Sequence, residues 1–330
     1  MVATPIEVVA GVIRDDRGRI LLAQRGEGSH LAGLWEFPGG KRDVGESRWQ
    51  ALVRELDEEL GIVASAGRPL IATPFTYPGK SIRLDAWTVD AYSGTPWSRE
   101  GQHLQWMEVA DLHTMSMPAA DRPVVAALQL PCEYLITPDL PAAPESKLIE
   151  PIMQALRAGI RLIQLRLPQW PREDVARIAK RLRALAKEND AKLLVNGDLD
   201  LAISSELDGV HLPARIAAMH DMRPLPARMW LGVSCHDADE LDHAARIGAD
   251  FATLSPVNTT ASHPGKAAMG WQRFAELVVN ATMPVYALGG MSRTDATDAI
   301  DAGAQGIAAI GSLWPADQSG VDRQMRARSR

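Results

Sequence analysis

Glu55, Glu58 and Glu59 stand at i, i+3 and i+4, a spacing that puts all three on one face of a helix. Three like charges on one face repel unless something positive lies between them. A hard divalent cation with oxygen ligands does this; Mg2+ is the usual choice where phosphates complete the shell, with Mn2+ as the alternative. Arg54, next in sequence, can neutralise and orient one carboxylate. Gly40 and Glu46 precede the cluster and Gly61-Ile62 follow it. A solvated acidic face would explain the carboxylates alone, but it leaves the glycines, Glu46 and Arg54 unexplained. The chemistry such a set supports is that of a bound cation acting on phosphate ligands. The cation polarises phosphoryl oxygens and acidifies water, and a carboxylate positions or deprotonates that water.

The element that carries these groups is predicted as a helix over 47–60. Trp49, Leu52, Val53, Leu56 and Leu60 fall at helical spacing on its opposite face. Ser47 and Gln50 have capping-box spacing, and Gly61 sits where a C-cap glycine belongs. Around it lie strand-type runs. VVAGVIR and RILLAQR flank Asp15-Asp16-Arg17-Gly18 and read as a hairpin, LDAWTVDAY reads as a further strand, and a second helix is expected over 122–130. This is an α+β layout.

After Pro131 the rhythm changes to strand, then helix, repeatedly. EYLIT, LIQLRL, KLLVNG, GVHLP, WLGVSC, FATLSPV, PVYALGG and GIAAIGSL are eight strand candidates, with helical patterns such as 172–188 and 238–247 between them. Eight such units predict a closed (β/α)8 TIM barrel, with an open doubly wound sheet as the alternative. The expected domains are therefore residues 1–130, a linker at 131–133, a barrel over 134–315 and a frayed tail over 316–330.

Composition narrows the setting. A net charge of −6 over 330 residues disfavours a nucleic-acid surface, while a free nucleotide remains suitable. Cys132 and Cys235 lack metal-ligand spacing and suggest a reducing compartment. With no signal-type N-terminus and no membrane-length apolar run, the expected location is the cytoplasm.

Residues 40–62 resemble the Nudix box at every defined position. Nudix hydrolases cleave nucleoside diphosphates linked to another moiety. The resemblance implies a Nudix fold with a mixed sheet and helices. It implies that Glu55, Glu58 and Glu59 bind metal and activate water, with Arg54 beside them and the Gly39 carbonyl as a further metal ligand. RGEGSHLAGLWEFPGGKRDVGES, TPWSREGQHLQWMEVADL and MPAADRPVVAAL resemble the MutT subfamily of 8-oxo-dGTP diphosphatases across residues 8–128. That resemblance implies conversion of 8-oxo-dGTP to the monophosphate and pyrophosphate, which sanitises the nucleotide pool. It places Arg25, His30, Glu36, Phe37, Pro38, Gly39 and Asp121 against the nucleotide. Glu100 becomes an additional metal-side carboxylate, and Lys41 a phosphate contact in the catalytic set. Another nucleoside diphosphate derivative is the alternative substrate. The subfamily commonly has Asn where Asp121 stands; ionised Asp only accepts hydrogen bonds, while protonated Asp imitates Asn if buried. Singly, Arg25 reads as a surface residue, His30 as a loop residue, Phe37 as core and Asp121 as a helix cap.

The barrel resembles thiamine-phosphate synthase and its thiazole tautomerase relative from YLITPDL to AIGSLW. The resemblance implies a phosphorylated, thiazole phosphate-like ligand. Gly289-Gly290 and Gly311-Ser312 stand where a phosphate cradle follows strands 7 and 8, though tight turns alone would also call for such glycines. His236, after strand 5, is a candidate acid/base or a structural histidine. The pyrophosphate half is reduced. Gly197 follows Asn196 where the synthases carry Asp, with Asp198 displaced by one. No Asp follows GVHLP, Pro168 replaces a lysine, and the TTASHPGKA loop offers only Lys266. Losing that charge should cripple coupling, which leaves three readings of the barrel: binding module, tautomerase or synthase.

Overall fold

The computed structural model describes residues 4–141, 144–259 and 267–315. The chain divides into two compact units, one of residues 1–130 with 279–284 and one of residues 131–278 with 285–330. The first runs β1 (Ile6–Ile13), β2 (Ile20–Gln24), β3 (Trp35–Glu36), β4 (Gly39–Lys41), α1 (Arg48–Leu60), β5 (Val63–Tyr77), β6 (Lys80–Ser93), β7 (Leu104–Met107) and α2 (Arg122–Gln129).

Helix α1 begins where its cap predicts. The Ser47 side chain accepts from the Gln50 N–H, the Gln50 side chain accepts from the Ser47 N–H, and Gly61 ends the helix in the left-handed conformation. Its leucines decide where it docks. Leu52, Leu56 and Leu60 are fully buried against Val9 and Ile13 of β1 and Val89 of β6, and each such burial contributes about 2 kcal/mol. The alternate residues Ala10 and Val12 face the other way, into a core with Leu84, Ala86, Leu112 and Val124. The period-2 alternation of β1 thus divides one sheet between two hydrophobic layers.

That sheet has the order β4-β1-β6-β5 and is mixed: β1 is parallel to β6 and antiparallel to β4. A second sheet has the order β3-β2-β7. The expected β1–β2 hairpin is corrected here. The Asp15–Gly18 turn forms, with the Gly18 N–H donating to the Asp15 carbonyl at 2.9 Å, but beyond one Arg14–Ile20 bridge the two strands part into different sheets. The fifteen-residue β5 went unpredicted. It carries Pro69 and Pro74, which are tolerated because among the described residues it lies at the sheet edge beside β6.

The second unit runs β8 (Glu133–Ile136), α3 (Ser146–Arg157), β9 (Leu162–Leu165), α4 (Arg172–Glu188), β10 (Lys192–Asn196), α5 (Leu199–Ser204), β11 (Gly209–Leu212), α6 (Ala214–Ala217), β12 (Trp230–Cys235), α7 (Ala238–Arg246), β13 (Phe251–Leu254), α8 (Gly270–Val278), β14 (Val285–Leu288), α9 (Ala296–Asp301) and β15 (Gly306–Ala309). The eight strands are parallel and close into a barrel, one from each predicted run. Its interior is filled, not open: Tyr134 meets Phe251 at 5.5 Å and Tyr286 at 5.6 Å between ring centroids. Buried His211 bonds the Tyr134 hydroxyl at 3.1 Å and the Ser234 hydroxyl at 2.8 Å. Burial pushes its pKa down to about 3, so this histidine is neutral. The tail over 316–330 and Lys266 lie outside the described residues. Among the described residues no helix is long and apolar enough to cross a membrane.

Candidate active site

Arg54 organises the carboxylate helix more widely than its sequence position suggests. Its guanidinium donates to both Glu46 oxygens at 2.8 and 3.0 Å, to Glu55 at 2.9 Å, to Glu58 at 3.0 Å and to the Lys41 carbonyl at 3.0 Å. These bonds raise its pKa, so it is charged at every working pH. The Lys41 side chain itself is exposed.

The three predicted carboxylates do not share one environment. The Glu58 side chain is 56 % exposed, against 15 % for Glu55. Glu55 lies so close against Gly40 that a Cβ there would meet its carboxylate oxygen at 2.2 Å and the carboxylate would have to move. Glu59 turns inward and accepts from the Gly39 N–H at 3.0 Å. Burial, then the charges of Glu36, Glu100 and Glu55, push its pKa up to about 8. Glu100 is exposed and accepts from Gln102 at 3.2 Å, yet its charge reaches both Glu55 and Glu59.

Among the described residues no three His, Cys, Asp or Glu side chains are gathered closely enough to hold a metal ion. The donor set nevertheless fits a hard divalent cation in kind: it is all oxygen, and burial first, then the neighbouring carboxylates, raise the pKa of Glu59, and of Glu55 despite the Arg54 guanidinium beside it.

A second charged group surrounds Asp121, which is 5 % exposed. It sits at the N-terminal end of α2 without making a side-chain cap bond. Burial and the neighbouring Glu36 raise its pKa to about 8, against the pull of Arg25 and of the Phe37 N–H, which donates to it. At neutral pH Asp121 is a neutral acid, with one donor and one acceptor. Burial raises Glu36 too, although Arg25 forms an ion pair with it. Arg25 also donates to the His30 carbonyl at 2.7 Å, which closes the loop between them. The His30 ring meets the edge of Tyr77 at 5.4 Å. Tyr77 was not foreseen: it takes a hydrogen bond from the Ala120 N–H and feels Asp121, Arg25 and Glu36. Its only sequence signal was the alternation at the end of a strand. The Phe37 ring is 3 % exposed and packs in the core, as its alternative reading has it, and what Phe37 offers this group is its backbone N–H. Pro38 is likewise buried, and its carbonyl accepts from Gly11 at 2.7 Å.

In the barrel, Asp198 is not free to replace the missing metal carboxylate. It caps α5 by accepting from the Leu201 N–H at 2.8 Å, and Arg172 grips both its oxygens at 2.6 and 3.0 Å. Gly197 has φ +72°, and a Cβ there would press on Ile216 at 3.2 Å. Gly289 and Gly290 have left-handed φ values of +100° and +67°, and added Cβ atoms would strike Pro256 and the Thr259 carbonyl. Close approach of the 256–259 loop therefore already demands glycine. Gly311 faces open space, and the Ser312 hydroxyl donates to the Met291 carbonyl at 2.6 Å. Gly311–Leu313 is a turn at the end of β15. His236 stands at the end of β12 with Nδ1 at 2.8 Å from Glu240, which also accepts the His236 N–H.

Residues 9–127 match the NUDIX domain family and residues 133–313 the thiamine monophosphate synthase family. The 8-oxo-dGTP diphosphatase of Escherichia coli is 36 % identical over 124 residues, covering 38 % of this chain and 96 % of that protein. The CTP pyrophosphohydrolase of the same organism is 46 % identical over 122 residues, covering 37 % and 90 %. An Aquifex aeolicus protein provisionally named thiamine-phosphate synthase 2 is 35 % identical over 183 residues, covering 56 % and 97 %. The chain thus belongs to two families at once, to the Nudix hydrolases through residues 9–127 and to the thiamine monophosphate synthases through residues 133–313.

Proposed function

We propose that the Nudix unit hydrolyses 8-oxo-dGTP to its monophosphate and pyrophosphate with Mg2+. The observation that carries this reading is Asp121 buried beside the Arg25–Glu36 pair and accepting from the Phe37 N–H; burial raises its pKa to about 8, and a protonated carboxyl there would offer the donor and acceptor of an asparagine. Oxidised guanine presents an acceptor at O6 beside the N7–H that oxidation creates, and a neutral acid complements both. Glu36 and Arg25 hold the polar wall around that acid. Mg2+ held by Glu55, Glu58, Glu59, Glu100 and the Gly39 carbonyl would supply positive charge to the phosphoryl oxygens and to the attacking water. Arg54 keeps Glu46, Glu55 and Glu58 in place while the nucleotide binds.

A second reading, CTP as substrate, is supported by the higher identity to a CTP pyrophosphohydrolase. Cytosine also pairs a donor, N4–H2, with an adjacent acceptor. The test is a panel of 8-oxo-dGTP, dGTP and CTP assayed with Mg2+, measuring release of pyrophosphate against phosphate. Highest kcat/KM for 8-oxo-dGTP supports the first reading and highest for CTP the second; absence of pyrophosphate from all three refutes both.

For the barrel, the reading is binding of a phosphorylated small ligand without thiamine phosphate synthesis. Its support is Asp198, already committed to Arg172 and to the cap of α5.

A further inference from the structure

The last turn of α1 leaves carbonyls that no intrahelical N–H can reach. Residues 97–99 supply much of what is missing. The Trp97 N–H donates to the Leu60 carbonyl at 3.1 Å and the Arg99 N–H to the Glu59 carbonyl at 2.9 Å. The Arg99 guanidinium donates to the Asp57 carbonyl at 2.6 Å and to its carboxylate at 3.0 Å, and stacks 5.8 Å from the Trp97 ring. A cation at this end of a helix also complements the dipole. Gly61 leaves room for both side chains: a Cβ there would lie 2.8 Å from the Trp97 indole nitrogen and 2.9 Å from Arg99 Nε. The very next residue is Glu100, which the bond from the Arg99 N–H to the Glu59 carbonyl brings to the end of the carboxylate helix from a separate segment of chain.

We infer that Trp97 and Arg99 form a strap whose role is to position Glu100 against Glu55 and Glu59 for divalent-cation binding. The inference rests on the reading of Glu100 as a cation-side carboxylate. Arg99 and Trp97 touch neither cation nor nucleotide; they are positioning residues. A carboxylate brought by a loop must be ordered when the cation binds, and a strap that orders it beforehand removes that cost.

The test uses the full-length chain without nucleotide and Mn2+ as probe, reading free Mn2+ by electron paramagnetic resonance. Trp97→Ala/Arg99→Ala should weaken Mn2+ binding about threefold to tenfold, the range for losing one or two such bonds. Arg99→Lys, which keeps a donor, should recover part of the loss and guards against a folding artefact. Glu100→Gln alone should weaken binding at least as much. In the Glu100→Gln background, removal of the strap should have no further effect, since its role passes through that carboxylate. Additive losses would overturn the inference, as would unchanged binding in the strap variant where Glu100→Gln is impaired. Unchanged binding in Glu100→Gln would instead refute the reading of Glu100 itself.

Discussion

Asp121→Asn should stabilise the Nudix unit, and by an amount that depends on pH. The variant keeps the shape and keeps an acceptor for the Phe37 N–H. In the fold Asp121 holds its proton up to about pH 8, against an ordinary value of 3.8. As pH rises from 3.8 the unfolded chain releases this proton while the folded chain retains it. The native state therefore loses stability relative to the unfolded one until about pH 8, above which the difference is constant. At pH 7 about three pH units separate the two states, and at about 1.4 kcal/mol each they amount to roughly 4 kcal/mol. Asparagine does not ionise and escapes this cost. Calorimetry on the full-length chain can follow the transition that bound nucleotide shifts. At pH 7 Asp121→Asn should melt roughly 10 °C higher, and near pH 4 the two proteins should converge. Function should follow the same proton. As pH passes about 8 the wild type loses its O–H donor, and KM for the preferred nucleotide should rise about tenfold, while the variant stays flat. Equal melting at pH 7, or a difference that ignores pH, would mean that Asp121 is ionised in the fold, and its part as a donor to the base would fall.

Glu55→Gln or Glu59→Gln should lower kcat by roughly two orders of magnitude or more, because each removes charge from the cation site; near-normal turnover in both variants refutes the site. Arg54→Lys should lower kcat about tenfold, since an ammonium cannot reproduce a fork that reaches Glu46, Glu55 and Glu58 together; unchanged steady-state kinetics would show that these bonds are incidental. The full-length chain should bind thiazole phosphate by calorimetry yet make no thiamine phosphate in a coupled assay with the pyrimidine pyrophosphate. Arg172→Ala should not restore synthesis, because Asp198 still caps α5; clear product from either protein would overturn the reading of the barrel.

Local signals carried most of the architecture. Helix α1 was legible in full because its determinants are near neighbours: the Ser47/Gln50 cap, the leucines at helical spacing and Gly61. The eight barrel strands were legible because each is a short apolar run buried on both faces. The carboxylate row and Arg54 could be named for the same reason, since one helix presents them. What the sequence could not contain was partnership at a distance. The β1 and β2 strands part because their hydrogen-bond partners, β6 and β7, lie far along the chain. The protonation of Asp121 depends on burial with Glu36 and Arg25, distant in sequence. Asp198 reads in sequence as a displaced metal ligand, but Arg172, twenty-six residues away, holds it. Trp97 and Arg99 carried no motif of their own, and only the fold lays them on the end of α1. Residue types and short spacings determine which chemistry is possible; desolvation and long-range contact, which exist only once the chain is folded, decide the charge each group carries and which of them remain free to act.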